Sequence, residues 1–130
     1  MTDALATVQT AYAAFGAGDI PKLLSMCSPS IRWQFCGDSK APYTGTAVGH
    51  AQVGEWFGGV AAADDIRAFE PRRFLAGPGH VTVIGWERTV ARPSGAEFEC
   101  DWMHVWTVED GVITSFYGML DSERSARARA

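Results

Sequence analysis

The stretch "CDWMHVWTVEDG" (residues 100–111) places a histidine between two tryptophans at alternate positions. Side chains two residues apart on a β-strand point to the same side, so Trp102, His104 and Trp106 are predicted to share one face. Imidazole titrates near neutral pH and can take or give a proton in catalysis. Desolvation between the indoles would lower the pKa of His104 and favour a neutral base, whereas a nearby Asp101 or Asp121 would raise it.

His104 therefore has three interpretations: a general acid or base, a hydrogen-bond partner for a ligand, or a buried structural histidine. Arg88 is the second candidate catalytic residue, because it is predicted to face the same space from the preceding strand. An inward arginine needs a partner, since an unpaired buried charge is costly. That partner is either a carboxylate or enolate oxygen of a substrate or an acidic neighbour in a structural ion pair, namely Glu87, Glu99 or Asp101.

Asp121 is the third candidate catalytic residue, because it follows the last predicted strand and could orient His104; a solvated strand end is the alternative. Ligand sites combine a mostly apolar lining with a few polar groups, and the candidate lining residues here are aromatic. They are Trp33, Phe35, Tyr43, Trp56, Phe57, Trp86, Trp102, Trp106 and Phe116. An aromatic core without a cavity has the same composition, so the sequence leaves both open.

The overall composition limits the classes of protein to consider. For 130 residues with a net charge of −4 we expect one domain, residues 1–130, and no nucleic-acid partner. The sequence has no run of about 18 apolar residues, and its start lacks a secretory pattern, so we expect a cytoplasmic protein without a membrane partner. Three cysteines without a CxxC pair and three histidines without ligand-like spacing predict reduced thiols and no metal site.

The hydrophobic periodicity changes near residue 64. Before residue 64, apolar residues at three-to-four spacing predict three helices: one from about residue 5, a second short one capped by Asp19, and a third in "HAQVGEWFGGV". One strand, "SIRWQFC", is predicted between the second and third helices. After it, alternation predicts four strands: "IRAFEPRRFLAG", "HVTVIGWERTVAR", "FECDWMHVWTV" and "VITSFYGMLD". The segment "GDSKAPYTGTAVG" is predicted as loop, and residues from about 123 to 130 as a flexible tail.

This order of elements predicts the fold class. Helices segregated from a mostly antiparallel sheet form an α+β arrangement, and a twisted sheet with helices on one side curls into a cone. On the strand before His104, the inward residues are predicted to be Ile84, Trp86, Arg88 and Val90. Because the side-chain period of a strand is two, a slip of one residue in the strand pairing would turn these four residues outward.

Several segments resemble a known family: "AYAAFGAGDI", "IRW", "PYTGTAVG" and "HVWTVEDGVITSF" with the closing "LD". They resemble the SnoaL-like proteins of the nuclear transport factor 2-like superfamily, which includes ketosteroid isomerase and limonene epoxide hydrolase. The resemblance extends over roughly residues 5–121. It implies a cone-shaped barrel whose pocket lies between the concave face of the sheet and the first three helices. It leaves function open, because this fold carries isomerases, cyclases, hydrolases and binders.

The resemblance also implies which catalytic residues to look for. Limonene epoxide hydrolase uses a water-activating carboxylate, an acidic partner and an arginine between them. In this sequence the first carboxylate's position is Gly118 and the acidic partner falls near Val90, so that only Arg88 matches. The polar pair that positions the water aligns with Trp33 and Phe35. The pattern of this hydrolase is therefore incomplete, and Gly118 also replaces the inward acid of SnoaL-type cyclases.

The ketosteroid isomerase pattern, an inward carboxylate base with a tyrosine–acid oxyanion hole, has no match either, although Tyr12 and Tyr43 could reach the cavity. We therefore expect a small-molecule-binding protein that needs no cofactor. Either it catalyses proton transfer (isomerisation, cyclisation or hydrolysis) through His104 and Arg88, or it is a non-catalytic binder of a hydrophobic ligand. An interaction module with a filled core is the third possibility. The mixed outer face of the sheet predicts a homodimer, as is common among related proteins.

Overall fold

The computed structural model describes residues 3–130 as helices packed on a curved six-stranded sheet. The elements are α1 (Ala4–Gly16), α2 (Ile20–Ser25), β1 (Cys27–Cys36), β2 (Gly45–Val48), α3 (Gly49–Ala63), β3 (Asp64–Gly77), β4 (His80–Ala91), β5 (Glu97–Glu109), β6 (Val112–Leu120) and α4 (Ser122–Ala128). The predicted α+β fold class with a mixed, cone-forming sheet is confirmed.

Two short-range signals in the sequence start the first two helices. The carboxylate of Asp3 accepts a hydrogen bond from the backbone N–H of Leu5 at 3.1 Å, and that of Asp19 accepts one from Lys22 at 3.1 Å. Each carboxylate satisfies an N–H that the first turn of a helix leaves without an intrahelical partner. Pro21 stands in the first turn of α2, where its missing N–H costs no hydrogen bond.

The sheet has the strand order β2-β1-β6-β5-β4-β3. All neighbours are antiparallel except β1 and β6, which run parallel. Strand β2 lies inside the segment that was predicted as loop. The turn between β5 and β6 has positive φ angles at Asp110 and Gly111 (51° and 78°), the conformation that suits a tight hairpin. This hairpin places β5, with its alternating aromatic residues, in the interior of the sheet between β6 and β4.

The inward face of β5 is the one that the sequence predicted. Along this strand buried and exposed residues alternate, and Trp102, His104 and Trp106 are all buried at 8 % exposure or less. Trp33 and Phe35 of β1 and Phe116 of β6 are buried on the same concave side. These rings form the sheet side of the hydrophobic core.

The predicted inward face of β4 is wrong by one residue. Arg88 is exposed, and Trp86 lies on the outer face with the guanidinium of Arg72 4.9 Å from its ring centre. The buried positions are instead Val81, Val83, Gly85, Glu87, Thr89 and Ala91. The reason lies at Gly85, which pairs with Trp102 of β5: a Cβ there would come within 3 Å of the indole ring. Only glycine leaves room for that ring, so the glycine faces inward and Trp86 outward.

In place of the flexible tail expected from about residue 123, the structure has α4. Asp121 caps this helix by accepting from the backbone N–H of Arg124 at 3.3 Å. Ala128 packs against Phe98 and Cys100 on the inward face of β5. Ser125 and Ala128, three residues apart in this helix, are buried, whereas Arg124 and Arg127 are exposed.

Candidate functional site

A pocket lies between α1, α2, α3 and the concave face of the sheet. Its cavity volume is about 70 Å³. The pocket is therefore narrow. Phe15, Val60 and Ile66 line it and remain partly exposed, which places the opening between α1, α3 and β3.

Most of the predicted lining residues surround this pocket. They are Trp33, Phe35, Tyr43, Trp56, Phe57, Trp102, Trp106 and Phe116. Trp86 does not line it, because it lies on the outer face of β4. Of the three candidate catalytic residues, His104 lines the pocket. Arg88 is exposed on the outer face, and Asp121 is exposed as the cap of α4, so neither is among the lining residues.

A chain of hydrogen bonds holds the His104 ring. The indole N–H of Trp106 donates to the hydroxyl of Tyr12 at 2.9 Å, and that hydroxyl lies 2.7 Å from Nδ1 of His104. A tyrosine hydroxyl has one proton to donate. Because the oxygen already accepts from Trp106, every group in the chain is satisfied when Tyr12 donates to Nδ1. This assignment leaves the imidazole proton on Nε2.

Aromatic stacking fixes the plane of the same imidazole. The Trp102 and His104 ring centres are 4.1 Å apart with an angle of 17° between the planes, and the Tyr12 ring is within 8° of parallel to the imidazole. On the neighbouring strand β6, Gly118 stands directly opposite His104. A Cβ at Gly118 would lie 3.0 Å from Cδ2 of His104 and 2.7 Å from Cζ of Phe116, so glycine leaves the space that these rings fill.

Burial decides the charge state of His104. Desolvation lowers its pKa from 6.5 to about 3, because the charged imidazolium would lie among apolar rings. At neutral pH the imidazole is therefore uncharged and a weak base. Among residues 3–130, no hydrogen-bond partner occupies Nε2, and the residue lines the pocket. The geometry thus presents an N–H donor on a fixed ring.

A second polar group, Glu87, lines the pocket from β4 and is 6 % exposed. Its Oε1 lies 3.8 Å from Sγ of Cys100, a weak thiol donor. Burial, followed by the nearby charge of Asp64, raises the pKa of Glu87 to about 7. The hydrogen bond from the Cys100 thiol and the positive charge of Arg129 lower the pKa of Glu87, but by less than burial raises it. This carboxyl consequently titrates in the physiological range.

A buried ion pair closes the end of the pocket near Glu87. The guanidinium of Arg129 binds Asp64 with both terminal nitrogens, at 2.6 and 3.0 Å, and donates to the hydroxyl of Tyr43 at 2.7 Å. Tyr43 in turn donates to Asp64 at 2.5 Å. The side chains of Arg129 and Asp64 are 5 % and 3 % exposed. We call Tyr43, Asp64 and Arg129 the Arg129 cluster; it joins α4 to the start of β3.

Sequence reasoning missed two members of this cluster. Asp64 stands at the junction of α3 and β3, where the periodicity changes, and neither pattern assigns it a face. Arg129 looked like one of several basic residues in a solvated end. The sequence pattern that could have indicated this cluster is the helical spacing of two small residues, Ser125 and Ala128. Both are buried in the structure, and Arg129 follows them directly.

These features together define a class of protein. A cone-shaped α+β domain with a narrow aromatic pocket and a few polar groups has the arrangement of a small-molecule-binding domain. The chain belongs to the SnoaL-like domain family, whose model matches residues 8–116. This assignment confirms the resemblance seen in the sequence.

Solved structures agree with the family. An NTF2-like protein from Burkholderia xenovorans LB400 is 29 % identical, with a TM-score of 0.88 over 100 % of this chain and 99 % of that one. An NTF2-like protein of unknown function from Burkholderia pseudomallei K96243 is 27 % identical, with a TM-score of 0.90 over 100 % and 99 %. TerC, co-crystallised with polyporic acid, is 25 % identical, with a TM-score of 0.81 over 96 % of both chains. No curated protein matches the chain.

Within residues 3–130, no helix has both the length and the apolar character needed to span a membrane.

Proposed function

We propose that this protein binds a flat, hydrophobic molecule that carries a carbonyl oxygen, and that it promotes proton transfer at the carbon next to that carbonyl without a cofactor. The single observation that carries the proposal is a neutral His104 that lines the pocket and is held by Tyr12 at Nδ1, which leaves its Nε2–H without a partner among residues 3–130. A fixed donor in a dry site stabilises negative charge that develops on an oxygen during reaction.

This proposal changes the roles that the sequence predicted. His104 acts as a hydrogen-bond donor rather than as the base, because an imidazole with a pKa of about 3 holds protons too weakly at neutral pH. Arg88 has no part in the proposed site because it lies outside the pocket. The oxyanion-stabilising role passes from Arg88 to the imidazole, whose ring is fixed by Trp102 and Tyr12.

The shape and composition of the pocket support a flat ligand. Four of the five tryptophans line it, and the sheet side consists largely of ring faces, such as Trp33 stacked on Phe116 at 3.9 Å. Offset stacking of aromatic faces adds to the free energy of burying apolar area. The co-crystallisation of the similar protein TerC with polyporic acid further supports a small organic ligand.

Binding is tested with biphenyl and 4-acetylbiphenyl, which differ by one carbonyl group, through quenching of tryptophan fluorescence. We expect the ketone to bind more tightly than the hydrocarbon by about fivefold, the value of one hydrogen bond of roughly 1 kcal/mol. His104→Phe should abolish this preference while keeping an aromatic ring in place. His80→Phe, which changes an exposed histidine on β4 outside the pocket, is the matched control. Equal binding of both probes to the wild type would refute the role of His104.

Catalysis is tested with the same ketone in D2O. In this exchange deuteroxide from the solvent removes a proton from the acetyl methyl group and leaves as HOD, while the C–H electron pair forms the enolate, whose oxygen accepts a hydrogen bond from His104. D2O then returns a deuteron to the carbon and regenerates deuteroxide, so mass spectrometry counts the deuterium incorporated. We expect the wild type to accelerate this exchange and His104→Phe to lose the acceleration. Binding without acceleration would identify the second candidate function, a non-catalytic carrier, which the scarcity of polar groups in the pocket favours.

We further propose that two copies pair through the outer face of β5 and β6. Met103 stands opposite Met119 and Val105 opposite Tyr117 in the strand register, and Met103, Met119 and Val105 are 40 %, 37 % and 37 % exposed. Exposed apolar side chains gathered on one surface of a sheet are typical of an interface. A second copy of the chain presents the same surface, which suits a two-fold contact.

A further inference from the structure

The carboxyl group of Glu87 has no role in the function proposed above. It faces the pocket from β4 and is 6 % exposed. One oxygen, Oε1, has the thiol of Cys100 as a weak partner at 3.8 Å. Among residues 3–130 the second oxygen, Oε2, makes no hydrogen bond with a protein group. A buried polar group that lacks a strong partner and faces a cavity is suited to meet a ligand.

The charged and titratable groups around Glu87 come from each element packed against it. Asp64 lies at the start of β3, Arg129 follows α4, Tyr43 precedes β2, and Cys100 lies opposite on β5. The hydrogen bonds of Arg129 go to Asp64, Tyr43 and Ser125 rather than to Glu87. Arg129 therefore compensates Asp64 directly and Glu87 only from a distance. Burial and Asp64 together raise the pKa of Glu87 to about 7, so the neutral carboxyl is well populated near neutral pH.

The sheet register places Glu87 and His104 at opposite ends of one surface. Glu87 pairs with Cys100, and His104 lies four residues further along β5, with Trp102 between them on the same face. At about 3.3 Å per residue, the two positions are about 13 Å apart along the strand. Below neutral pH both ends present donors, the O–H of Glu87 and the N–H of His104.

We propose that Glu87 recognises the ligand at the end opposite His104, by donating a hydrogen bond from its neutral carboxyl to an acceptor oxygen. This inference rests on the proposed function and names its ligand class: flat, uncharged aromatic ketones and diketones with acceptor oxygens towards both ends. Loss of the proton from Glu87 leaves a buried carboxylate facing an acceptor oxygen. Affinity for such ligands therefore falls as the carboxyl ionises.

The test uses 4,4′-diacetylbiphenyl, which carries a ketone at each end and does not titrate. Its affinity is measured by tryptophan quenching between pH 5.5 and 8.5. With a pKa of about 7 for Glu87, only the protonated fraction binds well, so the affinity should fall by about tenfold to thirtyfold across this range. Biphenyl, which has no acceptor, should bind equally at both pH values.

Two variants separate Glu87 from other titrating groups. Glu87→Gln keeps a donor and cannot ionise, so we expect tight binding at both pH values. Glu99→Gln changes an exposed glutamate on β5 and should retain the pH dependence of the wild type. A wild type without pH dependence, or a Glu87→Gln protein that keeps it, would overturn the inference.

A measurement on the wild type alone covers the case in which Glu87→Gln does not fold. Infrared spectroscopy follows the band of a buried protonated carboxyl as the pH is raised. A ligand that binds the protonated carboxyl more tightly must in turn favour protonation, so saturating 4,4′-diacetylbiphenyl should raise the pH midpoint of the carboxyl band by about one unit. A midpoint that does not move overturns the inference. If no biphenyl binds even at pH 5.5, the proposed function fails with it. If 4-acetylbiphenyl binds in a His104-dependent way without any effect of Glu87, this inference alone fails.

Discussion

Arg129 offers the sharpest test of the packing around the site, because a matched arginine stands two residues before it. Arg129 lies 2.6 Å from Asp64 in a pair whose side chains are 5 % and 3 % exposed. Arg127 lies 2.6 Å from Glu123 in a pair whose side chains are 74 % and 79 % exposed. The shortest N–O distance is the same in both pairs. The Arg129 pair is buried, however, and Arg129 also donates to Tyr43 and Ser125. The side chain of Arg127 is exposed and, among residues 3–130, bonds only Glu123.

The expected loss of stability follows from that difference. Removing one partner of a buried ion pair leaves an uncompensated charge and costs about 3–5 kcal/mol. Arg129→Met strands the carboxylate of Asp64 in this way and also removes the hydrogen bond to Tyr43. An exposed pair four residues apart on a helix contributes only about 0.3–0.5 kcal/mol. We therefore expect Arg129→Met to lower the free energy of unfolding about tenfold more than Arg127→Met.

Urea denaturation followed by tryptophan fluorescence measures both losses. With an m-value of about 2 kcal/mol per molar urea, a loss of 4 kcal/mol lowers the midpoint by about 2 M, whereas the control shifts it by about 0.2 M. The double variant Asp64→Asn, Arg129→Met removes both charges and should recover part of the loss. Equal midpoints for Arg129→Met and Arg127→Met would refute the assignment of a buried ion pair, and with it the role of α4 as a packed element.

The remaining predictions concern the two faces of the sheet. Gly85→Ala places a methyl group against the Trp102 indole. Such overpacking should destabilise the fold by about 1–3 kcal/mol and change the near-ultraviolet circular dichroism. Gly58→Ala in α3 is the control: it has open space around it and should stabilise the protein by up to about 1 kcal/mol. A Gly85→Ala protein as stable as the wild type would contradict the register of β4. On the outer face, sedimentation equilibrium should show a dimer for the wild type and a monomer for Val105→Glu, which adds a charge beside Met103; a monomeric wild type would refute the proposed pairing.

The contrast between β5 and β4 shows what strand alternation can and cannot predict. On β5, Phe98, Trp102 and Trp106 share one face and the four acidic residues of the strand share the other, so only one choice of face buries the aromatic set. On β4, both faces carry apolar residues, so alternation alone does not select between them. The inward position of Gly85 follows from the bulk of Trp102 on the neighbouring strand, which is a tertiary contact. The register of β4, and with it the positions of Arg88 and Glu87, could not be read from β4 by itself.

The Arg129 cluster escaped prediction for a different reason. Its members are separated by 21 and 65 residues along the chain and belong to a loop, a helix–strand junction and the segment after α4. No periodic pattern links such positions, and the energy that favours their pairing appears only once the sheet has closed. The opposite holds for α1, where Asp3 as cap and the spacing of apolar residues are local signals, and the predicted helix is found.

Gly118 connects the family resemblance to the chemistry proposed for this chain. In limonene epoxide hydrolase and in SnoaL-type cyclases, the resemblance implies an inward carboxylate at this position. Here a Cβ at residue 118 would lie 2.7 Å from Cζ of Phe116 and 3.0 Å from Cδ2 of His104, so an acid at this position would require both rings to shift. Within the described part of the chain, an acid without an ion-pair partner faces the pocket instead from β4, two strands away: Glu87, which burial keeps partly protonated at neutral pH. The neutral imidazole and the displaced carboxyl therefore have separate geometric origins: Gly118 leaves room for the His104 ring on β5, whereas Gly85 beside Trp102 turns Glu87 inward on β4.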